Sequence, residues 1–508
     1  MSIAARKGGI VHVRLHSDEF PSDSLQIARL EGEEKLLGLF SFDLDMTEVA
    51  AGGLAVDMRN TTKEILGARA SLIFEKGGVV LRTVHGMISE LEEAVDTRAD
   101  KSGESGAFRI KLVPRLFSSS LVHLHEVFLD KTIPEIIEEK LSRVDLVVGD
   151  DVEFRLAGNY PKREFVVQYK ETDLAFITRL CEYYGITYYF EHEGTCDKLV
   201  FVDVQSAFEV IADHALVTGD GDQIIKELKS NSRCVPASRA VTDYNPINPP
   251  LDLQQSVDVP GGFNGGVIDL MAKFKTQEQG TPLAGIRAEQ TECHRVSLKG
   301  VSGCTAFRAG VVVPIADAPT LDDPTMLLTS VRHRLTQQAG LLGADDAIVP
   351  YENTFRGTRG KTQYRSQLVT PRPRVRGFVT AFIEEYLANG QYAVLDDRGR
   401  YWVRFAFDSA PHPSKHSLPI RMVQPHAGPG YGMHLPLKRG TEVMVAFLDG
   451  DVDRPVITGA VPNEHTQSPV NRSNYQINKL LKTETGIVIE ARDVWEPSAP
   501  NMQQVPEE

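Results

Sequence analysis

Six groups of residues in this chain have types and spacings that invite a chemical reading. Gly360-Lys361-Thr362 ends like a phosphate-binding loop, but that loop needs a glycine five residues before Gly360, and Phe355 stands there. Gly300-Val301-Ser302-Gly303 begins like the sharp turn that presents a nucleophilic serine, yet the closing position holds Cys304. His123 and His125 fall on one side of a strand, as zinc ligands can, without a third ligand nearby. Cys293-His294 and Cys304 suggest metal chemistry, but isolated buried thiols are commoner. Asp449, Asp451 and Asp453 alternate like calcium ligands. An EF-hand loop would need glycine at Arg454 and glutamate at Ala460. The arginines at 372, 374 and 376 read as the solvated face of an extended linker. Each motif lacks a member its chemistry requires, so no catalytic, cofactor-binding or metal-ligating residue is assigned.

Composition narrows the class. The chain has 508 residues, room for several domains. Hydrophobic residues are 42% and charged residues 24%, ordinary for a globular protein. The net charge of −14 argues against a general nucleic-acid binder. Five scattered cysteines without a C-x-x-C give neither a disulfide framework nor a zinc ribbon. No apolar run approaches the roughly 20 residues of a membrane span. Residues 1–9 do not read as a signal peptide.

The elements are mostly strands. Leu25–Leu30, a turn at Glu31-Gly32-Glu33, Leu37–Leu44, Ala70–Phe74 and Val79–Val84 read as hairpins, followed by strands at Phe108–Leu112 and His123–Phe128. Thr132 is an N-cap with Pro134 in the first turn of a short helix. Thr172 caps a second helix, whose Leu174, Ile177, Leu180, Cys181 and Tyr184 share one side and which Gly185 ends. Pro and Gly crowd residues 238–266, which read as a connection. Strands are expected at Ala288–Leu298, Gly310–Pro314 and Thr325–Thr336, before a linker rich in Pro and Arg at Thr370–Gly377. Beyond it Tyr401, Val403 and Phe405 alternate with Trp402, Arg404 and Ala406. The run Val443–Phe447 reads as a strand covered on both faces. Short strands with tight turns at Asp397-Arg398-Gly399, Gly428-Pro429-Gly430 and Asp449-Gly450-Asp451 describe a small closed barrel of the OB type.

The order of residues in that barrel, Asp396, Gly399, Arg400, Val403, Arg404, Phe405, then Gly440, Glu442, Val443, Val445, Phe447, Gly450, Asp451, Asp453, Pro455, Gly459 and Asn463, resembles VgrG-type spike proteins of contractile injection systems. A second stretch, Gln168, Tyr169, Glu171, Asp173, Phe176, Arg179, Leu180, Glu182, Gly185, Tyr188 and Phe190, resembles the hub portion of that family, as do Arg82, His85 and Gly86. The resemblance covers roughly residues 20 to 465. It implies a mainly β protein with a few short helices. A hub of two tube-like β-barrels (1–370) is followed by an OB-fold spike barrel (371–463) and a short tail (464–508) that begins a β-prism needle.

The function implied is structural: a homotrimer that caps the hexameric tail tube, adapts threefold to sixfold symmetry, contacts baseplate proteins and helps puncture a membrane. A PAAR-type tip or a separate needle is a further implied partner, because the tail is too short for a full needle. The protein would stay in the cytoplasm until assembled. The alternative from the residues themselves is a carbohydrate or single-stranded nucleic-acid module, with Tyr401, Trp402 and Tyr431 stacking on the ligand.

Overall fold

The computed structural model describes residues 10–23, 25–48, 65–93, 107–211, 224–315, 322–337, 348–384, 392–409, 417–473 and 478–491. The expectations for residues 1–9 and for the last part of the tail lie outside these. The chain divides into two compact units: Met1–Leu124, Lys131–Arg163 and Lys170–Arg372 form the first, and His125–Asp130, Glu164–Tyr169 and Pro373–Glu508 the second.

The first unit is organised by one sheet of twelve strands. They are β1 (Val11–His16), β2 (Leu25–Lys35), β3 (Ser41–Glu48), β4 (Arg69–Lys76), β5 (Val79–Glu93), β6 (Ala107–Val113), β7 (Glu209–Val210), β8 (Ile225–Ser232), β9 (Val296–Ser302), β10 (Val311–Pro314), β11 (Thr325–Thr336) and β12 (Val349–Arg359). The order is β1-β4-β5-β6-β3-β2-β11-β12-β9-β8, with β10 pairing β11 and β7 pairing β10. The strands of the two expected barrels therefore share a continuous hydrogen-bonded sheet. Its seam is the antiparallel pair β2–β11, from Ser330 opposite Lys35 to Thr336 opposite Arg29.

Period-two alternation explains the faces. Ile110, Leu112, Leu44, Leu30, Val331, Phe355 and Leu298 are buried, while Glu31, Lys35, Arg332, Arg356 and Lys299 are exposed. Gly32 corrects the expected turn: it lies inside β2, opposite Phe42 of β3. A Cβ there would sit 2.2 Å from Phe42 Cδ1, so the glycine makes room for a ring that is itself fully buried. The actual turn falls at Leu37-Gly38, with Leu37 at φ 54°.

Three α-helices accompany the sheet among the described residues. In α1 (Ile133–Ser142) Thr132 Oγ1 accepts from Glu135 N and Glu135 Oε2 accepts from Thr132 N, a complete capping box. Helix α2 (Asp173–Tyr184) is capped by Thr172 and ends at Gly185, φ 73°. Helix α3 (Gln277–Cys293) replaces most of the strand expected at Ala288–Leu298. It buries Gly280, Ala284, Ala288 and Arg287, a face too small and too polar to read as an apolar stripe. The segment expected as a connection holds a three-stranded sheet, Ser238–Thr242 between Gln255–Asp258 and Gly266–Leu270.

The second unit contains β13 (Val379–Ile383), β14 (Val403–Phe405), β15 (Glu442–Phe447) and β16 (Pro455–Ala460) in the order β14-β13-β15-β16. Isolated bridges Tyr401–Ile420 and Met422–Ile457 carry the pairing from the β14 end back to β16, closing the sheet on itself. Ala381, Ile383, Tyr401, Val403, Phe405, Val443, Val445 and Ile457 fill its core. Strand β15 alternates, with Val443, Val445 and Phe447 buried and Met444 and Ala446 only partly so. One face is core and the other is not, because closure gives a barrel strand a single inside. A hairpin of β17 (Asn478–Lys482) and β18 (Val488–Ala491) follows.

Replacing Gly32 with valine is expected to destabilise the first unit by about 1–3 kcal/mol, because the buried Phe42 ring cannot move aside. A fall in its thermal midpoint, with the second unit's transition unchanged, is the readout.

Candidate functional site

The chemistry-bearing side chains that the fold brings together are buried charges of the first unit. At the seam, Glu34 of β2 points inward. Its Oε1 accepts from Arg82 Nη2 of β5 at 2.6 Å and from His333 Nε2 of β11 at 2.9 Å. Arg82 Nη1 donates to the Phe307 carbonyl at 3.0 Å. His333 Nδ1 bonds the Tyr351 hydroxyl at 2.7 Å, and Asn353 donates to that hydroxyl and to the Cys304 carbonyl. The Arg82 and Glu34 side chains are 7% and 6% exposed. Burial alone would raise the Glu34 carboxyl, but Arg82 and His333 hold it down to about 2. Burial pushes His333 below the usual histidine range even though Glu34 pulls it back up. His192 accepts from His85 N at 3.1 Å, and its Nε2 is shut off from solvent. Burial, then the nearby Arg82, lowers it to about 3.

The second cluster surrounds α2 and accounts for the residue order noted in the sequence. Arg179 grips Glu171 with Nε and Nη2 at 2.7 and 2.6 Å. Lys140 of α1 meets Asp173 at 3.1 Å with neither side chain exposed. Phe176 lies between two cations, Arg179 at 4.9 Å and Lys140 at 5.8 Å from its ring centre. Glu182 accepts from the Val369 and Thr370 amides and the Thr370 hydroxyl. Burial raises its carboxyl against those bonds. Arg372 stacks on Tyr183 at 4.5 Å. These groups are held by one another, which suits fixing a shape.

The residues singled out for chemistry are scattered. His123 is exposed, and His125 packs its ring on Tyr169 and Phe407. Cys293 and Cys304 are buried, and burial pushes the Cys293 thiol up to about 12 and raises that of Cys304. Both shifts favour the protonated thiol over the thiolate that nucleophilic or metal chemistry uses. Ser302 accepts from the Cys304 amide, and Lys361 N donates to Asp323. Asp449 pairs with Arg374, Asp451 accepts from Asp453 N, and Asp453 accepts from Val167 N. Asp451 thus bonds within the turn, whereas Asp449 and Asp453 are held by Arg374 and the Val167 amide. Tyr401 is fully buried and its hydroxyl accepts from Leu437 N, so it cannot stack on a ligand. Among the described residues no group of three or more His, Cys, Asp or Glu could hold a metal ion, and no helix is long and apolar enough to cross a membrane. Sequence reasoning noted Arg82 and His85 but missed Glu34 and His333. The outward alternation of β2 and β11 was the available signal, since it puts Glu34 and His333 on the apolar side.

A continuous sheet with a charged seam, followed by a small closed barrel, defines a hub-and-barrel protein. Residues 33–339 match the family described as phage tail baseplate hub (GPD), and the chain belongs to that family. Residues 392–461 match the type VI secretion system/phage-baseplate injector OB domain, so the closed barrel of the second unit is an OB fold. The chain is 28% identical over 481 residues to the type VI secretion system spike protein VgrG4b of Pseudomonas aeruginosa, covering 90% of this chain and 57% of that one. To VgrG1c of the same organism it is 27% identical over 474 residues, covering 90% and 63%. The actin cross-linking toxin VgrG1 of Vibrio cholerae is 27% identical over 455 residues, covering 84% of this chain and 39% of the toxin. The chain thus spans less than two thirds of the length of these relatives. Among solved structures, the E. coli c3393 protein, a type VI secretion component described as similar to T4 tail proteins gp27 and gp5, has the same fold. Its TM-score is 0.64 at 24% identity, covering 88% of this chain and all of that one. The Francisella PdpA-VgrG complex, half-lidded, contains a chain matching at TM-score 0.58 and 10% identity, covering 94% of this chain and 80% of that one.

Two outcomes test the seam network. Arg82→Met, which leaves the Glu34 carboxylate buried without its arginine, should cost about 3–5 kcal/mol. Adding Glu34→Gln to it should cost less than the sum of the two single changes, measured as a double-mutant cycle of denaturant unfolding.

The pH dependence has a defined sign. An unfolded histidine protonates near 6.5 and folded His192 only near 3, so its contribution is full above about pH 6.5 and drains away as pH falls toward 3. The Glu34 contribution is present above about 4.5 and is lost as pH falls toward 2. His192→Gln should make the acid-side loss of stability shallower by up to about 1.4 kcal/mol per pH unit, read from thermal midpoints across that range.

Proposed function

We propose that this chain is the structural hub and spike of a contractile injection machine and works as a homotrimer. The observation that carries the trimer is the β17–β18 hairpin. Leu480, Ile487, Val488 and Ile489 are 70%, 61%, 44% and 51% exposed on an isolated pair of strands. Two strands alone are marginal in water, and adjacent apolar side chains need a cover. Copies of the same hairpin supply one, so residues 464–508 read as the start of a strand-wound stalk. Phe378, Val423, Tyr431 and Met433, each at least 47% exposed, extend the apolar surface of the same unit.

In this reading residues 1–370 form the hub, which seats on the hexameric tail tube, adapts threefold to sixfold symmetry and meets baseplate proteins. Residues 371–463 form the barrel that leads the puncture of a target membrane. A tip protein or a separate needle completes the point. The role is mechanical: the buried charges of the seam and around α2 are held in internal pairs that fix shape. The protein waits in the cytoplasm and leaves as part of the machine.

Sedimentation of the purified chain at micromolar concentration should give a trimer. Leu480→Asp with Ile489→Asp should release monomers that retain the melting transition of the first unit. A wild-type chain that stays monomeric across that range overturns the proposal.

A further inference from the structure

The outer face of the twelve-stranded sheet is neutralised pair by pair over most of its width. Asp45 meets Arg109 at 2.6 Å, Lys111 meets Glu90 at 2.6 Å and Asp43 at 3.8 Å, Arg29 pairs with Glu31, and Arg332 meets Glu33 at 3.0 Å. One cross-strand row breaks this rule. Lys35 of β2 lies opposite Ser330 of β11, Ser330 opposite Arg356 of β12, Arg356 opposite Lys299 of β9, and Lys299 opposite Lys229 of β8. Five neighbouring strands thus present four cations and a serine, all on the outer face, across roughly 19 Å at the usual strand spacing.

Among the described residues Lys35, Lys299 and Arg356 have no ion-pair partner, and only Lys229 has one, Glu227 on its own strand. Like charges directly opposite each other in a sheet are destabilising. From Ser330 to Lys229 the row is also one wall of an open groove, whose other wall is the next row, Glu33, Arg332, Thr354, Val301 and Glu227.

We propose that this row is a docking strip for a carboxylate-rich extended segment of another polypeptide. Alternate side chains of an extended chain fall about 6.6 Å apart, within reach of flexible lysine and arginine termini. Charge complementarity then offsets the like-charge cost that the free sheet carries. Three observations select this occupant. Single-stranded nucleic acid is bound where a basic groove is interleaved with exposed aromatic rings, and the one ring lining this groove, Phe355, is 2% exposed. Glu33 and Glu227 on the far wall oppose a continuous chain of phosphates but leave room for a peptide with neutral residues between its acids. The same sheet face offers a second copy little complement among the described residues, since Asp43, Asp45, Glu31, Glu33 and Glu90 are already paired. The strip follows from the sheet register alone and does not rest on the trimer reading.

The test uses the purified full chain and a fluorescein-labelled peptide of alternating Glu and Thr, followed by anisotropy. Saturable binding is expected at about 50 mM salt and at least about tenfold weakening at 300 mM. Lys299→Glu with Arg356→Glu should abolish it. The milder Lys299→Gln with Arg356→Gln should weaken it without disturbing the fold, and Lys361→Glu, outside the row, should leave it unchanged. Absence of peptide binding overturns the proposal. So does equal or tighter binding of a single-stranded oligonucleotide of the same charge, or an equal loss in the Lys361 variant. A change in sedimentation of the charge-reversed chain reassigns the strip to a second copy and overturns it too. Because sedimentation of the wild type is scored separately, failure here and failure of the trimer are distinguishable.

Discussion

The seam between β2 and β11 is where the first unit is made or lost. Residues about 300 positions apart must pair strand to strand there, and loop closure gives nothing back until they do. The ladder itself is indifferent to register. What is not indifferent is Glu34, which needs Arg82 and His333 on the inner face at the same time. A slip of β2 by one residue would turn Glu34 to solvent and carry Glu33 or Lys35 inside, where neither partner geometry survives. Gly32 belongs to the same constraint, since it lets the Phe42 ring lie flat against the strand, 5.4 Å from the His333 ring. Register, packing and charge are fixed by five residues within reach of one another, Gly32, Glu34, Phe42, Arg82 and His333.

A comparable logic holds around α2. The helix is amphipathic, but its buried side is as much charged as apolar: Asp173, Arg179 and Glu182 are buried with Phe176, Ile177 and Leu180. Buried pairs are weak evidence for stability, because removing two charges from water costs about what their attraction returns. Their better-attested effect is to exclude other arrangements. Glu171 meets Arg179 through a two-pronged grip, and Lys140 reaches Asp173 from a different helix, so the helix has one rotation about its axis that satisfies both.

What the sequence made legible was local. The strands β6 and β11, the Thr132 and Thr172 caps and the Gly185 stop are all written within a few residues, and the structure has them. Tyr401, Val403 and Phe405 were readable as one face of a strand for the same reason. The failures were also local in origin. Gly32 has the composition of a turn, and only the Phe42 ring from the next strand explains why it sits mid-strand. Helix α3 buries Gly280, Ala284 and Ala288, residues that give no apolar stripe, so the later strand at Val296–Ser302 was drawn too early. The pairing within the seam network was unreadable for a different reason. Glu34 and His333 are 299 positions apart, and nothing in either neighbourhood names the other.

The contrast between the two faces of the large sheet carries the argument one step further. Inside, the seam charges Glu34, Arg82 and His333 are tied to partners on other strands. Outside, ion pairs cover much of the face from β5 to β11, whereas in one row Lys35, Arg356 and Lys299 have none among the described residues. Surface pairs contribute little to stability, roughly 0–1 kcal/mol each, so folding alone exerts scant pressure to neutralise a row. By the same token it exerts scant pressure to assemble one. Three like charges placed opposite one another on consecutive strands work mildly against the sheet; on the adjacent row Glu227 relieves only Lys229, and Thr354 and Val301 are uncharged. A feature that costs the free fold and recurs on neighbouring strands is accounted for by something outside the fold, and the chemistry it selects for is negative charge.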